Sequence, residues 1–346
     1  MKKKLFLLVR RCLFLCLLTA ALVYISSVFV THASTDWTAS STYGDFYQLE
    51  PNTVDVLFFG SSHVARAFAP QELYNEHGLT SYNLAGDEQS IQLSYFWLEE
   101  ALRTQSPQVV VLDSCFLFDY HPGQPMSVGE GSYRKALDPM QMSPVKMRAI
   151  HEICRIDPEQ SELTYYLPFI RYHSGWQELD ASCFRLHHKR GLMGYTPNFL
   201  VWNSTGDEPF LAEESDEAEM LPQMKEYLDR IRELCSKQGI TLLLVKTPSP
   251  WQTLEQHNAV SAYAEEHGLD YIDFNEDEAY YGADYWYATD SSDIEHANHW
   301  GAVKLTYYLG DYLITEYGLE PHEDEQWDES NEFYQLQIEE GEVSAA

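Results

Sequence analysis

The sequence predicts an α/β fold in three layers, with a five-stranded parallel sheet in the flavodoxin-like order 2-1-3-4-5 and a mostly helical insertion. Three observations lead there. Short runs of Val, Leu, Ile and Phe alternate with longer stretches of helical periodicity. The strongest runs, Val54–Phe59, Gln108–Leu112 and Ile240–Lys246, are nearly all apolar, as strands buried on both faces must be. They also end in turn residues: Gly60-Ser61-Ser62 after the first and Thr247-Pro248-Ser249-Pro250 after the last of these three. At 346 residues with 45% hydrophobic and 14% aromatic content, the chain is long enough to bury a full core.

In chain order, residues 1–31 open with Lys2, Lys3, Lys4, Arg10 and Arg11, and then run from Cys12 to Val30 without a charge. At about 1.5 Å per residue, that run spans roughly 28 Å, close to the hydrocarbon thickness of a bilayer. A cleaved signal peptide is the competing reading, with its cut after Ala33, but the apolar run is long for that purpose and Thr31-His32-Ala33 fits the small-x-small rule loosely. The sequence therefore predicts an uncleaved single-pass anchor in the cell membrane. The basic cluster precedes the span, which places the body outside the cytoplasm. Residues 32–53 read as a tether.

Ala65–His77 is a short helical connection broken at Pro70, and Thr80–Leu84 is a second strand ending at Ala85-Gly86. Asp87–Thr104 carries Ile91, Tyr95, Leu98 and Leu102 on one helical face. From Cys115 to Glu214 the alternation lapses into a block dense in Tyr, Trp, His and Met, read as an insertion over residues 115–214 that forms a lid or substrate wall; packing of these aromatics into the insertion's own small core is the plainer alternative. Asp216–Gln238 and Leu254–His267 are helices, and Leu269–Phe274 is the fifth strand. Asn298 caps a last helix running to Tyr317, with Val303, Tyr307, Leu309 and Leu313 along it. Glu320–Ala346 holds ten acidic residues and no Lys or Arg, which predicts a disordered tail over 320–346. One catalytic domain over residues 54–319 thus lies between anchor and tail.

The net charge is −32, and setting aside the five basic residues of the N-terminal cluster leaves −37 on the rest. That excludes nucleic acid as a partner and disfavours direct docking on anionic headgroups. Cys115, Cys154, Cys183 and Cys235 are spread through the body with no Cys-x-x-Cys pair, which argues against zinc. Buried free thiols are expected there, with two disulfides as the alternative.

Ser62 stands where the first strand empties into its turn, at the sheet edge where parallel α/β sheets bind ligands. A serine hydroxyl is a poor nucleophile unless a base takes its proton. Asp293-Ile294-Glu295-His296 supplies an imidazole and a carboxylate three residues apart, just before the last helix. His296 is the candidate base, and Asp293 the group that fixes its tautomer. Backbone N–H groups of Ser62 and Gly86 are the candidate oxyanion donors.

These blocks resemble those of the SGNH (GDSL-like) hydrolase superfamily. Gly60-Ser61-Ser62 looks like its first block, with Ser61 where many members carry Asp, and Asp293-Ile294-Glu295-His296 looks like its last. Asn83-Leu84-Ala85-Gly86 resembles the second block, whose glycine N–H helps hold the oxyanion, and this puts Asn83 among the candidate substrate contacts. Asn298 and Gly301 after the histidine are similar to the membrane-anchored branch that includes teichoic acid D-alanine transfer proteins and alginate-type O-acetyltransferases. The third block departs: Gly-x-Asn is usual, but this chain reads Leu112-Asp113-Ser114-Cys115. The resemblance implies acyl transfer or ester hydrolysis on a cell-surface polysaccharide or teichoic-type polymer, with a multi-pass membrane partner delivering the acyl donor and no cofactor. The departure leaves open a catalytically silent accessory or glycan-binding protein on the same fold.

Other polar residues compete for roles. His63 could touch substrate or simply make a local hydrogen bond at a helix start. His299 could pair with His296 on a metal, but no third ligand has suitable spacing. His187-His188 beside Lys189-Arg190 reads as a solvated basic spot, and Asp290 lies farther from His296 than Asp293 does.

Overall fold

A computed structural model describes residues 2–33, 38–118, 129–179, 182–184, 191–202, 218–249 and 252–345. Its sheet has five strands: β1 (Val56–Gly60), β2 (Ser81–Ala85), β3 (Val109–Asp113), β4 (Thr241–Lys246) and β5 (Asp270–Asp273). All neighbouring pairs are parallel, and the spatial order is β2-β1-β3-β4-β5, as the sequence predicts. The chain leaves β1 for β2 on one side and returns across it to β3 on the other. That reversal opens a crevice at the carboxyl ends of β1 and β3, where ligands bind in open α/β sheets.

In chain order the helices are α1 (Lys2–Ala33), α2 (Thr38–Phe46), α3 (Ser62–Ala67), α4 (Pro70–His77), α5 (Ile91–Ala101), α6 (Glu130–Leu137), α7 (Pro144–Ile156), α8 (Glu162–Tyr166) and α9 (Phe169–Tyr172). They continue with α10 (Pro222–Gln238), α11 (Leu254–His267), α12 (Asp277–Gly282), α13 (Tyr287–Asp290), α14 (His299–Tyr317) and α15 (Glu325–Ala345). Strand side chains alternate between two cores. Leu57, Phe59, Val110, Leu112, Leu242 and Leu244 join α2, α5, α7, α10 and α11 on one face. Val56, Phe58, Val109, Val111, Leu243 and Val245 join α3, α4, α13 and α14 on the other. Both faces being covered explains the unbroken apolar runs.

Helix boundaries follow local chemistry. Pro222 at the first turn starts α10 later than Asp216, because proline fits where no intrahelical N–H is needed. Asn298 caps α14 by accepting from the Gly301 N–H at 3.0 Å. The helix buries Leu305, Leu309 and Leu313, with Val303 and Tyr307 half-buried at the margin of that face.

Two expectations are corrected. Part of the expected tether is α2, whose Tyr43 stacks on Trp97 with ring centroids 4.7 Å apart, and whose Thr42 carbonyl accepts from the Tyr82 hydroxyl at 2.6 Å. The expected disordered tail contains α15. Trp327 and Tyr334 are fully buried and Ile338 is nearly so, a helically spaced apolar stripe inside an acidic segment. Tyr74 donates to Asp328 at 2.9 Å and Gln326 donates to the Gln48 carbonyl at 3.0 Å, so α15 docks on α4 and the start of the domain.

The described parts of the insertion include helices and short 3-10 turns, among the latter Cys115–Leu117, His173–Gln177 and Ser182–Phe184, and a return segment without regular secondary structure. Tyr133, Ala149, Ile150, Ile153 and Tyr165 belong to the same core as the sheet face, whereas Tyr195 joins Ala69, Ala302, Tyr334 and Ile338 in a smaller cluster with Leu192 and Phe199 packed against it. His187, His188, Lys189 and Arg190 lie outside the described residues. The return segment, residues 191–202, covers the free edge of β2: the Asn83 N–H donates to the Met193 carbonyl at 2.9 Å. Gly194 sits there at φ +82°, and a Cβ would lie 2.1 Å from the Asn83 carbonyl oxygen. All six cysteines are free thiols, so the disulfide alternative does not hold.

Candidate functional site

β1 delivers Ser62 to the crevice through a turn that tolerates no side chain at Gly60. A Cβ there would lie 2.5 Å from Val64 Cγ2 and 2.9 Å from the Asp113 Cβ. Ser61 then caps α3, its hydroxyl accepting from the His63 N–H at 3.3 Å, and Ser62 becomes the first helical residue, half-buried.

The second half comes from the loop before α14. An antiparallel bridge between Ser291 and Ala297 closes it, and the Ser292 N–H donates to the His296 carbonyl at 2.9 Å. Inside the loop, Asp293 Oδ1 accepts from the backbone N–H groups of Glu295 at 2.9 Å and His296 at 3.0 Å. The same carboxylate faces His296 Nδ1 at 2.9 and 3.0 Å through its two oxygens. Nδ1 therefore carries the proton, and Nε2, 2.9 Å from Ser62 Oγ, is left to accept from the hydroxyl. Although burial works against it, the hydrogen bonds from His296 and the Glu295 N–H, with the charge of Arg66, hold the Asp293 carboxyl below the usual carboxylate range.

Arg66 was not singled out in the sequence. Its guanidinium lies 3.5 Å from Asp293 Oδ2, and it stands one helical turn after Ser62 on α3. A cavity of about 340 Å³ opens beside it, lined by Arg66, Asn198, Phe199 and Leu200 of the return segment and by Gly341 and Ser344 of α15. Exposed Leu200, Trp202, Ile294 and Trp300 lie on the same return segment and on the loop and helix start that carry His296.

The other candidates separate clearly. Gly86 follows β2 directly, and the pairing of Gly60 with Ala85 brings it to the same sheet edge as Ser62. A Cβ on Gly86 would lie 2.7 Å from the Tyr43 hydroxyl. Asn83 is fully buried within β2, its amide donating to the Phe68 carbonyl at 2.8 Å. It ties α3 to the sheet and presents no surface to a substrate. His63 is only 4% exposed and, besides the local bond of its N–H to Ser61, its ring makes long-range contacts: Nδ1 is 3.3 Å from Thr247 Oγ1, Nε2 is 3.9 Å from Cys115 Sγ, and the ring centroid is 5.0 Å from that of His296. Burial, then the Lys246 charge, hold His63 well below the ordinary histidine value, so it is neutral. His299 is a core residue. Its Nδ1 meets the Tyr195 hydroxyl at 3.1 Å, and burial lowers it to about 4. Asp290 accepts from Lys304 at 2.7 Å and from the Trp286 N–H at 2.8 Å, which commits it to holding α13 against α14.

Behind His63, where the third block departs, Asp113, Cys115 and Lys246 converge. Desolvation raises Asp113 to about 6 and the Cys115 thiol to about 12. Two ligand-type sets meet here, His63 with Asp113 and Cys115, and His63 with Glu295 and His296. The first faces the buried Lys246 ammonium, whose positive charge would repel a cation. The second would require His296 Nε2 to abandon Ser62.

The chain matches no protein-family model and no curated protein sequence. The functional reading rests on the geometry and on the motif resemblance.

Proposed function

We propose that the protein is an extracytoplasmic, membrane-anchored serine acyltransferase or esterase, of the kind its SGNH-like blocks suggest, acting on O-acyl groups of a cell-envelope polysaccharide or teichoic-type polymer. The observation that carries this reading is the continuous chain from Ser62 Oγ through His296 to the Asp293 carboxylate at 2.9 Å and 2.9–3.0 Å. In the first step, Ser62 Oγ attacks the acyl carbonyl while its proton passes to His296 Nε2. The oxyanion is held by the N–H groups of Ser62 and Gly86, and His296 returns the proton to the departing alcohol as the acyl-enzyme forms. In the second, water or a sugar hydroxyl attacks the acyl-enzyme, again deprotonated by His296, and Ser62 is regenerated. The cavity beside Arg66, with the exposed Trp202 and Trp300 nearby, supports a sugar acceptor, since flat rings stack on sugar faces. Transfer would need an acyl donor supplied across the membrane, which fits a multi-pass partner.

The decisive assay offers an activated acetyl ester to the full-length protein, with and without oligosaccharides, and follows acetylated sugar against free acetate. Ser62→Ala and His296→Ala should each lower turnover by about six orders of magnitude. Turnover equal to the parent in either variant would falsify the proposal. Acetate as sole product with every acceptor selects the esterase.

One observation favours a second reading, a catalytically silent accessory or glycan-binding protein. The end of β3 holds Asp113, followed by Ser114 and Cys115, where a side-chain oxyanion donor is usual, and the Ser114 N–H is spent on the Val245 carbonyl at 2.8 Å. A fluorophosphonate probe separates the two: labelling that vanishes in Ser62→Ala belongs to the enzyme, and absence of any labelling to the silent form.

A further inference from the structure

The elements that touch α1 carry their own exposed apolar side chains. Along α1, residues from Leu5 to Val23 are largely exposed, whereas Ser26, Val28 and Phe29 near its end are buried. They are buried by the insertion: α1 packs on α9 and on the 3-10 turns His173–Gln177 and Ser182–Phe184, with the Phe29 and Phe169 rings 6.3 Å apart. On these same elements Trp176 is 63% exposed, Phe184 50%, and Phe169 and Ile170 37% each.

We propose that α9 and the two turns form a collar seated in the outer leaflet, with Phe169, Ile170, Trp176 and Phe184 entering the boundary between headgroups and acyl chains. This rests on the reading of α1 as a membrane anchor. With Arg10 and Arg11 at the inner boundary, the charge-free run Cys12–Val30 ends about 28 Å away, so the turns that the insertion grips fall at the outer boundary. Aromatic rings concentrate at that depth because one part of the ring is apolar and its rim tolerates water. Continuity with α1 identifies lipid as the occupant, since any side chain beside an anchor's outer end meets lipid before it meets solvent. Arg171, His173 and Gln177 on the same elements are exposed too and suit the headgroup zone, while the exposed rings supply the apolar contact, which does not depend on anionic lipid and so is compatible with an acidic body. Its consequence is orientation: an anchor alone lets a body tumble on its stalk, whereas an anchor with a collar fixes which face looks along the membrane.

The test uses the full chain in zwitterionic phosphatidylcholine nanodiscs containing a lipid with a diazirine near the glycerol end of its acyl chain. After irradiation, adducts are mapped by mass spectrometry. The expected result is label on α1 and on the peptide carrying Phe169 to Trp176, with α10 and α15 peptides at background. Label on α1 with the Phe169–Trp176 peptide at background overturns the collar and leaves the anchor standing, and it is the result expected if a second copy or another protein covers these side chains. Absence of label on α1 overturns the anchor itself. The double variant Trp176→Ser with Phe184→Ser, at two exposed positions, should lose label from the collar and keep it on α1; unchanged collar label in this variant also overturns the assignment.

Discussion

Arg66 adds to the hydrogen bonds that keep Asp293 ionised beside His296, and it is where the site can be tuned without being dismantled. Its guanidinium, 3.5 Å from Asp293, helps keep that carboxyl ionised. Both groups are partly exposed, so solvent screens the pair. Arg66→Gln should lower kcat/KM by roughly tenfold, equivalent to about 1.4 kcal/mol of transition-state stabilisation. The sign of the pH effect follows from the charge. Removing the cation lets the Asp293 carboxyl take up a proton at higher pH, so the acid limb of the kcat/KM profile should move upward, and an unmoved limb would assign Arg66 to substrate binding alone. Ser62, Asp293 and His296 were legible in the sequence because each sits in a short local pattern, a strand-ending turn or an Asp-x-x-His. Arg66 was less so, since its partner arrives from the far end of the chain. The available signal was its spacing of one helical turn from Ser62. His63 stands at the helix start with a local bond to Ser61, as its neighbours in sequence predict, but its ring contacts, Thr247 and Cys115, come from beyond the ends of other strands and have no signal in the local sequence.

Among the elements, the sheet was readable because strands buried on both faces must be apolar throughout, a signal that survives averaging over a short window. The helices α2 and α15 were hidden by the same averaging. In α15, Trp327, Tyr334 and Ile338 are spaced so that one stripe is buried, while the acidic residues between them make the segment resemble a disordered tail. Trp327 is fully buried in the main core, so Trp327→Ala should destabilise the fold by about 3–5 kcal/mol, the usual cost of deleting a buried large aromatic. Chemical denaturation of the full-length protein checks this through the midpoint. A midpoint equal to the parent's would mean α15 is not docked in solution. Because α15 also lines the cavity beside Arg66, the same variant should weaken any acceptor bound there.

At the scale of the molecule, the distribution of charge decides orientation. Five basic residues lie at or before Arg11, the rest of the chain carries −37, and a single helix, Lys3–Val30, is long and apolar enough among the described residues to cross a bilayer. Positive charge is retained on the cytoplasmic side, so α1 should run outward from its N-terminus and carry the sheet domain outside the cell. A cleaved signal sequence would start from the same helix but release the body. Two measurements separate these outcomes. The intact mass of the membrane fraction should include residues 1–33; a mature protein beginning just after Ala33 would identify a signal sequence. Protease added to intact cells should digest the domain and leave a small membrane-protected fragment containing α1, whereas full protection of the body would reverse the orientation. On the proposed function, a body outside would open the crevice at the ends of β1 and β3 toward envelope polymers, and an acyl donor would have to reach Ser62 from across the membrane.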